Sequence, residues 1–325
     1  MAKTEPRIIT DKTQMRKWSR AMRAGGKVIA LVPTMGYLHE GHISLINEAK
    51  KHSDVIVVSI YVNPGQFAPT EDLATYPSDF HGDLKKLVEV GGVDAVFHPH
   101  NLYDYENVNL SGENGGVGAV VSCVEQGGFG HESWVRVEKL EKGMCGRSRP
   151  VFFRGVATVV TKLFNIVEPD VAIFGKKDYQ QWRIIRRMVR DLDFGIEVIG
   201  SDIVRECDGL AMSSRNVRLS PEDREKALSI NRALLRAKTA AEGGQSNCRE
   251  LITSVTQAVS EAGGKVDYAE IVDQESLTAV EEIKSPAVFC IAAWFGKGSE
   301  RTSAAVQPVS DSRMEIAIWD EFLVS

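Results

Sequence analysis

The sequence predicts an α/β fold, a Rossmann-like parallel sheet with helices on both faces, followed by a smaller α+β domain. Three observations carry that prediction. Strand-sized apolar runs alternate with helix-sized amphipathic stretches as far as residue 200. Beyond residue 220 the order changes, and two helical stretches precede a group of strands. A Gly-containing turn joins an early apolar run to the next helix, the kind of join where open α/β sheets hold ligands.

Residues 13–25 form an amphipathic helix with Met15, Trp18 and Met22 on one face. Residues 28–32 are a buried strand, and the helix after the turn covers 43–49. A second buried strand runs over 54–62. The helix at 79–90 is stopped by Gly91-Gly92, and a short strand follows at 94–97. Residues 107–131 are rich in Gly and Asn and read as an inserted surface loop or hairpin. The pattern resumes with a helix at 155–167, a strand at 171–174, an Arg-rich helix at 178–192 and a strand at 197–200. A polar connection spans 202–219. Ser220-Pro221 then caps and starts a helix over 221–241, and a second covers 247–262. Strands are expected at 266–272, 287–295 and 314–318. The domains are therefore 1–199 and 200–325.

A chain of 325 residues suffices for two cores. The formal net charge is -5 and no long Lys/Arg run occurs, which argues against a nucleic-acid partner. The longest apolar runs, at 54–62 and 287–295, fall short of the roughly 20 residues of a membrane span. Residues 1–11 lack the apolar core of a signal peptide, so a cytosolic location is expected. Cys123, Cys145, Cys207, Cys248 and Cys290 show no metal or redox spacing and read as free thiols.

Chemistry concentrates in four places. Pro33-Thr34-Met35-Gly36-Tyr37-Leu38-His39-Glu40-Gly41-His42 brings two imidazoles to a helix N-terminus. Backbone N–H groups and the helix dipole favour a polyphosphate there. A metal site is the weaker reading, for want of a third ligand nearby. Gly175-Lys176-Lys177-Asp178 follows a strand and opens a helix. A lysine there can neutralise phosphate, and Asp178 can cap the helix. Met212-Ser213-Ser214-Arg215 offers hydroxyls, backbone N–H groups and a guanidinium to phosphate oxygens, although alone it also suits a polar linker. Asn63, Gln66 and Gln181 can reach a small polar substrate, or can simply satisfy loop carbonyls.

Taken in order, five segments resemble the pantothenate synthetase (pantoate–β-alanine ligase) family of the His-x-Gly-His nucleotidyltransferase superfamily. They are 33–42, 62–67, 154–160, 175–181 and 208–216. The resemblance implies that pantoate attacks ATP to give pantoyl adenylate and pyrophosphate. β-Alanine then displaces AMP to form pantothenate. It implies an ATP site of Met35, Gly36, Tyr37, Leu38, His39, Glu40, Gly41, His42, Gly175, Lys176, Lys177, Asp178, Val204, Met212, Ser213, Ser214 and Arg215. His42, His39 and Lys177 would be catalytic, with His42 a proton donor toward the leaving phosphate. Gln66, Gln181 and Asn63 would bind substrate, and magnesium would accompany ATP, with Asp83 as the candidate contact. A homodimer is expected.

The chain departs from the family pattern in three places. Phe152 stands where a histidine is usual, Lys176 replaces an acidic residue, and the 107–131 stretch is long, as in the plant branch. The rival readings are a nucleotidyltransferase that keeps AMP in its product and a non-catalytic ATP-binding regulator. A transfer-RNA synthetase is disfavoured by length and by the lack of a basic anticodon-binding domain.

Overall fold

Burial on both faces of the second strand shows how the layers assemble. In a computed structural model, which describes residues 5–69, 71–103, 131–296 and the backbone of 312–318, Ile29 and Leu31 point to one face of a sheet. Ala30 and Val32 point to the other, and all four are fully buried. A strand buried on both faces belongs in the middle of a parallel sheet with helices above and below.

The sheet has six parallel strands: β1 (Arg7–Ile9), β2 (Ile29–Thr34), β3 (Val55–Ile60), β4 (Ala95–Phe97), β5 (Val171–Gly175) and β6 (Glu197–Ser201). Their spatial order is β1-β4-β3-β2-β5-β6. Helices α1 (Lys12–Ala24), α5 (Phe152–Val167) and α6 (Tyr179–Asp191) cover one face, and α2 (Glu40–Ala49) and α3 (Phe80–Val90) cover the other. A five-residue helix, α4 (Met144–Ser148), precedes α5. As expected, Met15 is buried, and Trp18 and Met22 pack beside it. Asp11 caps α1, accepting the Gln14 N–H at 2.8 Å.

From β2 the chain winds through β3 to β4 on one side; β5 and β6 lie on the other. The reversal falls between β2 and β5. These two pair only through Ala30 with Val171 and Leu31 with Ala172, whereas β2 and β3 pair over six positions. The carboxyl ends of β2 and β5 therefore part and leave a crevice.

The smaller domain packs α7 (Pro221–Glu242) and α8 (Cys248–Glu261) on an antiparallel sheet of β7 (Lys265–Asp273), β8 (Ala287–Phe295) and β9 (Ser312–Ile318), in the order β7-β8-β9. Phe289, Ile291 and Ala293 face the two helices. Val288, Cys290 and Ala292 on the opposite face join the first domain's core. This two-sided burial explains why β8 is one continuous apolar run.

The sequence reading places most elements correctly and misses two. β1 is three residues long, too short to show a period, and α4 is a single helical turn with a little extra. Helix α5 starts at Phe152 rather than 155, and α2 starts at Glu40 rather than 43. Asp178 does not cap α6. It makes no capping hydrogen bond there, and its carboxylate instead accepts from Lys177 Nζ at 3.0 Å. Cys145, Cys207, Cys248 and Cys290 are thiols outside any disulfide, as expected. Cys123 and residues 107–130 of the expected insertion lie outside the described residues. Among the described residues no helix is long and apolar enough to cross a membrane.

Helix α5 approaches the turn after β3 closely through Gly155. A Cβ there would lie 2.0 Å from the carbonyl oxygen of Gly65 and 2.5 Å from the amide nitrogen of Gln66. Gly155→Ala is expected to lower stability by about 2 kcal/mol or more, read as the shift of a urea or thermal unfolding curve. An unchanged curve would show that helix and turn have room to part.

Candidate active site

The turn after β2 is clamped before it reaches the first histidine. The Thr34 hydroxyl donates to Ser59 O at 2.8 Å and accepts from Gly36 N at 3.2 Å. From α3, the Asp83 carboxylate accepts the N–H of Tyr37 at 2.8 Å and of Leu38 at 2.6 Å, and Lys86 Nζ holds Leu38 O at 2.5 Å. Asp83, expected beside magnesium, is thus engaged with the turn. Both its oxygens serve the turn, and burial lifts its carboxyl above the usual range against the pull of those N–H groups and Lys86. Among the described residues no group of three His, Cys, Asp or Glu side chains could hold a metal ion.

His39 is the N-cap of α2, and it shares the cap with His42. His39 Nδ1 accepts from Gly41 N at 3.1 Å, and His42 Nδ1 accepts from His39 N at 3.3 Å. The ring centroids are 4.1 Å apart. An accepting Nδ1 carries no proton, so each neutral ring holds its hydrogen on Nε2. Burial, then the charges of Lys177 and Lys86, push His39 down to about 4. Burial, His39, Lys177 and Lys86 push His42 well below its ordinary value. Gly41 makes the interlock feasible, because a Cβ there would lie 2.8 Å from His39 Cε1.

The crevice between β2 and β5 opens into a cavity of about 230 Å³. Met35, His39, Gly41 and His42 line one side, Gly175, Lys177, Asp178 and Gln181 another, and Val204, Met212, Ser213, Ser214 and Arg215 a third. The segments touch directly, since Ser214 Oγ donates to Tyr37 O at 3.2 Å. Gly36, Tyr37, Leu38, Glu40 and Lys176 do not line the cavity. Leu38 is core, and Lys176 Nζ pairs with Asp202 at 2.7 Å. The Arg215 guanidinium is gripped by Asp72 through two hydrogen bonds of 3.0 and 3.1 Å.

The three expected amides divide. Asn63 lines the cavity, but its side chain is consumed: Nδ2 donates to Gln66 Oε1 at 2.9 Å and Gly155 O at 3.2 Å, while Oδ1 accepts from Tyr103 Oη at 2.7 Å and Gly65 N at 3.3 Å. It therefore orients Gln66. The Gln66 Nε2 group and the Gln181 amide line the cavity with no hydrogen bond spent on the described residues. Phe152, Val156, Val159, Val160 and Leu163 form an apolar wall along α5. Phe152 lies under the Arg149 guanidinium, 3.8 Å from its carbon to the ring centre. Apart from Phe152, which stands where a histidine is usual, the wall is not among the residues the sequence singles out for the site, and neither are Tyr76, Arg149 and Asp72. The four-residue period of 152, 156, 160 and the neighbouring 159, 163 was the available signal for the wall.

Fold and site together define a nucleotide-handling α/β enzyme of the His-x-Gly-His kind, whose cavity has one cationic end and one apolar, amide-bearing end. The profile of the Pantoate-beta-alanine ligase family matches residues 7–301, and the chain belongs to that family. It is 70% identical over 296 residues to a pantoate–beta-alanine ligase of Lotus japonicus, covering 90% of this chain and 96% of the relative. It is 68% identical over 297 residues to the Arabidopsis thaliana protein of that name, covering 90% and 95%. Among solved structures, a pantothenate synthetase of Thermus thermophilus superposes with a TM-score of 0.76 at 36% identity, covering 96% of this chain and 98% of that one. The Francisella tularensis enzyme, solved in complex with beta-gamma ATP and beta-alanine, gives 0.71 at 28% identity over 96% and 97%.

A direct check of the interlocked cap is a histidine NMR titration. Both rings are expected to stay neutral, as Nε2–H tautomers, from pH 8 to about pH 5. An unfolded histidine titrates near 6.5 and folded His39 near 4. Stability should therefore fall as pH drops through that window, by on the order of 3 kcal/mol from His39, with His42 adding in the same direction. Protonation of either ring above pH 6 would contradict the cap.

Proposed function

We propose that this cleft joins pantoate to β-alanine in two steps driven by ATP. The reading rests on one observation: two neutral imidazoles reciprocally cap α2 beside Lys177 at the mouth of the sheet's switch point. Each ring presents an Nε2–H, and the helix N-terminus adds its dipole. These donors suit the β- and γ-phosphates of ATP. A carboxylate oxygen of pantoate attacks the α-phosphorus, a P–O bond forms, and the bond to the pyrophosphate oxygen breaks. Charge grows on the leaving pyrophosphate, where His39, His42 and Lys177 stabilise it. Because His42 is neutral, it acts by hydrogen bonding rather than by giving up a proton.

The amine of β-alanine then attacks the acyl carbon. The C–N bond forms, AMP leaves with the carboxyl oxygen it had bound, and the amine loses a proton. Gln66 and Gln181 hold the polar groups of pantoate, and the wall from Phe152 to Leu163 covers its branched carbons. That wall also keeps water from the mixed anhydride. Val204 and Met212–Arg215 serve the nucleoside and phosphates. Magnesium would accompany ATP as part of the nucleotide substrate.

The division into domains near residue 200, at the end of β6, a homodimer and a cytosolic location complete the reading. Sedimentation of the purified chain and imaging of a tagged copy test the last two.

The decisive assay mixes ATP, pantoate and β-alanine and follows products by mass spectrometry. Pantothenate and AMP should appear in equal amounts; a lasting nucleotide adduct, or no turnover, would refute the reading. His42→Ala is expected to slow pantoate-dependent ATP–pyrophosphate exchange by about 100-fold or more while ATP binding changes far less. Gln66→Ala should chiefly raise the KM for pantoate, and an unaltered pantoate dependence would remove it from the site.

A further inference from the structure

Residues 71–76 run behind the cavity's arginines and carry two adjacent carboxylates. Neither Glu71 nor Asp72 lines the cavity, yet each holds an arginine that does. Glu71 accepts from Arg149 Nε at 2.5 Å. Asp72 accepts Arg215 Nε on Oδ2 at 3.0 Å and Arg215 Nη2 on Oδ1 at 3.1 Å. Arg218 Nη1 reaches the same Oδ2 at 2.6 Å, while its Nη2 is fixed on Thr75 O at 2.5 Å. The Arg215 guanidinium also lies 5.0 Å from the ring centre of Tyr76.

A guanidinium has five N–H donors in a planar fork. Asp72 occupies the Nε–Nη2 edge of Arg215 with a bidentate grip, and the face is backed by Tyr76. Two degrees of freedom are thus removed, tilt and rotation. The Nη1 edge has no acceptor among the described residues. One carboxylate shared by two guanidiniums leaves the trio with a net positive charge, so the grip fixes Arg215 without neutralising the cavity.

We propose that Asp72 is the positioning residue for the phosphates of ATP: it holds Arg215 by one edge so that the Nη1 edge is ready for phosphate oxygens. This rests on the reading of the cavity as an ATP site. Without the carboxylate, Arg215 and Arg218 repel one another and the fork must be ordered by the ligand itself, which weakens ATP binding more than pantoate binding.

The test is a cycle of D72N, R215Q and the double variant, with steady-state KM values for ATP and pantoate. D72N is expected to raise the KM for ATP by about tenfold and leave that for pantoate within about twofold, with R215Q at least as damaging. The double variant should match R215Q alone, because Arg218, the other arginine on Asp72, does not line the cavity, and Asp72 reaches ATP only through Arg215. Equal losses for ATP and pantoate in D72N, or effects that multiply in the double variant, would overturn the proposal. If R215Q raises the KM for ATP and D72N does not, the positioning role fails and the ATP reading stands. If R215Q leaves ATP unaffected, the ATP reading of this loop fails, and the proposal with it. Should D72N not fold, D72E keeps the charge and displaces the grip. A rise in ATP KM of about threefold is then expected, and an unchanged value would refute the role.

Discussion

The reciprocal cap between His39 and His42 is the constraint on which the site depends. A helix start normally has its orphan N–H groups met by a hydroxyl or carboxylate. Here imidazole nitrogens do it, and only a neutral ring can, because a charged one has no lone pair to accept with. The cap therefore fixes three things together: where the rings sit, their charge state, and which nitrogen carries the hydrogen. Serine at position 39 could cap α2, but it would not leave a second donor pointing away from the backbone. Burial and the charges of Lys177 and Lys86 oppose protonation, so electrostatics and hydrogen bonding agree.

What the cap faces is decided by sheet topology. β2 and β5 are neighbours for two residues and then diverge, so the turns that follow them open on opposite sides of one crevice. The turn after β2 brings the histidines, and the one after β5 brings Lys177 and Gln181. The third side comes from the connection to the smaller domain, tied on by Ser214 to Tyr37 and by Arg215 and Arg218 to Asp72. The smaller domain is further joined to α6 through Tyr179 Oη, which donates to Gln274 O at 2.7 Å, and through the Arg183–Glu275 pair. Val288, Cys290 and Ala292 make that junction apolar as well as ionic.

Much of this was legible from residue pattern, and the limits have physical causes. Two-sided apolar runs marked β2, β3 and β8, because full burial leaves no alternation to misread. The His-x-Gly-His spacing located the histidine side of the cavity, since Gly41 is required wherever a ring folds back over the backbone two residues on. α2 begins at Glu40 rather than 43 because His39 is its N-cap and His42 lies in its first turn. That Asp83 clamps the turn was not legible, because a lone carboxylate in sequence carries no record of its donors. Its partners, Tyr37 and Leu38, are more than forty residues away. Asn63 and Gln66 looked alike, and only the three-dimensional contacts of Asn63 with Gly155 and Tyr103 separate the orienting amide from the available one.

The charge of the cleft raises a last question, since a chain with a formal net charge of -5 must attract a highly anionic nucleotide. Long-range charge does not help it, so the attraction has to be local. The cavity's cations are not left loose. Lys177 is beside Asp178, Arg149 is on Glu71, Arg215 is on Asp72, and at the rim Lys176 is on Asp202. Such pairing lowers the field a ligand meets, but it also removes the freedom of long side chains that a ligand would otherwise have to order. For catalysis the second effect matters more. Pyrophosphate gains charge as it leaves, and a donor already in place stabilises that change without first rearranging. The neutral histidines follow the same logic. On the proposed reading, a fixed neutral N–H strengthens its hydrogen bond as charge grows on the leaving oxygen, which is where binding energy lowers the barrier.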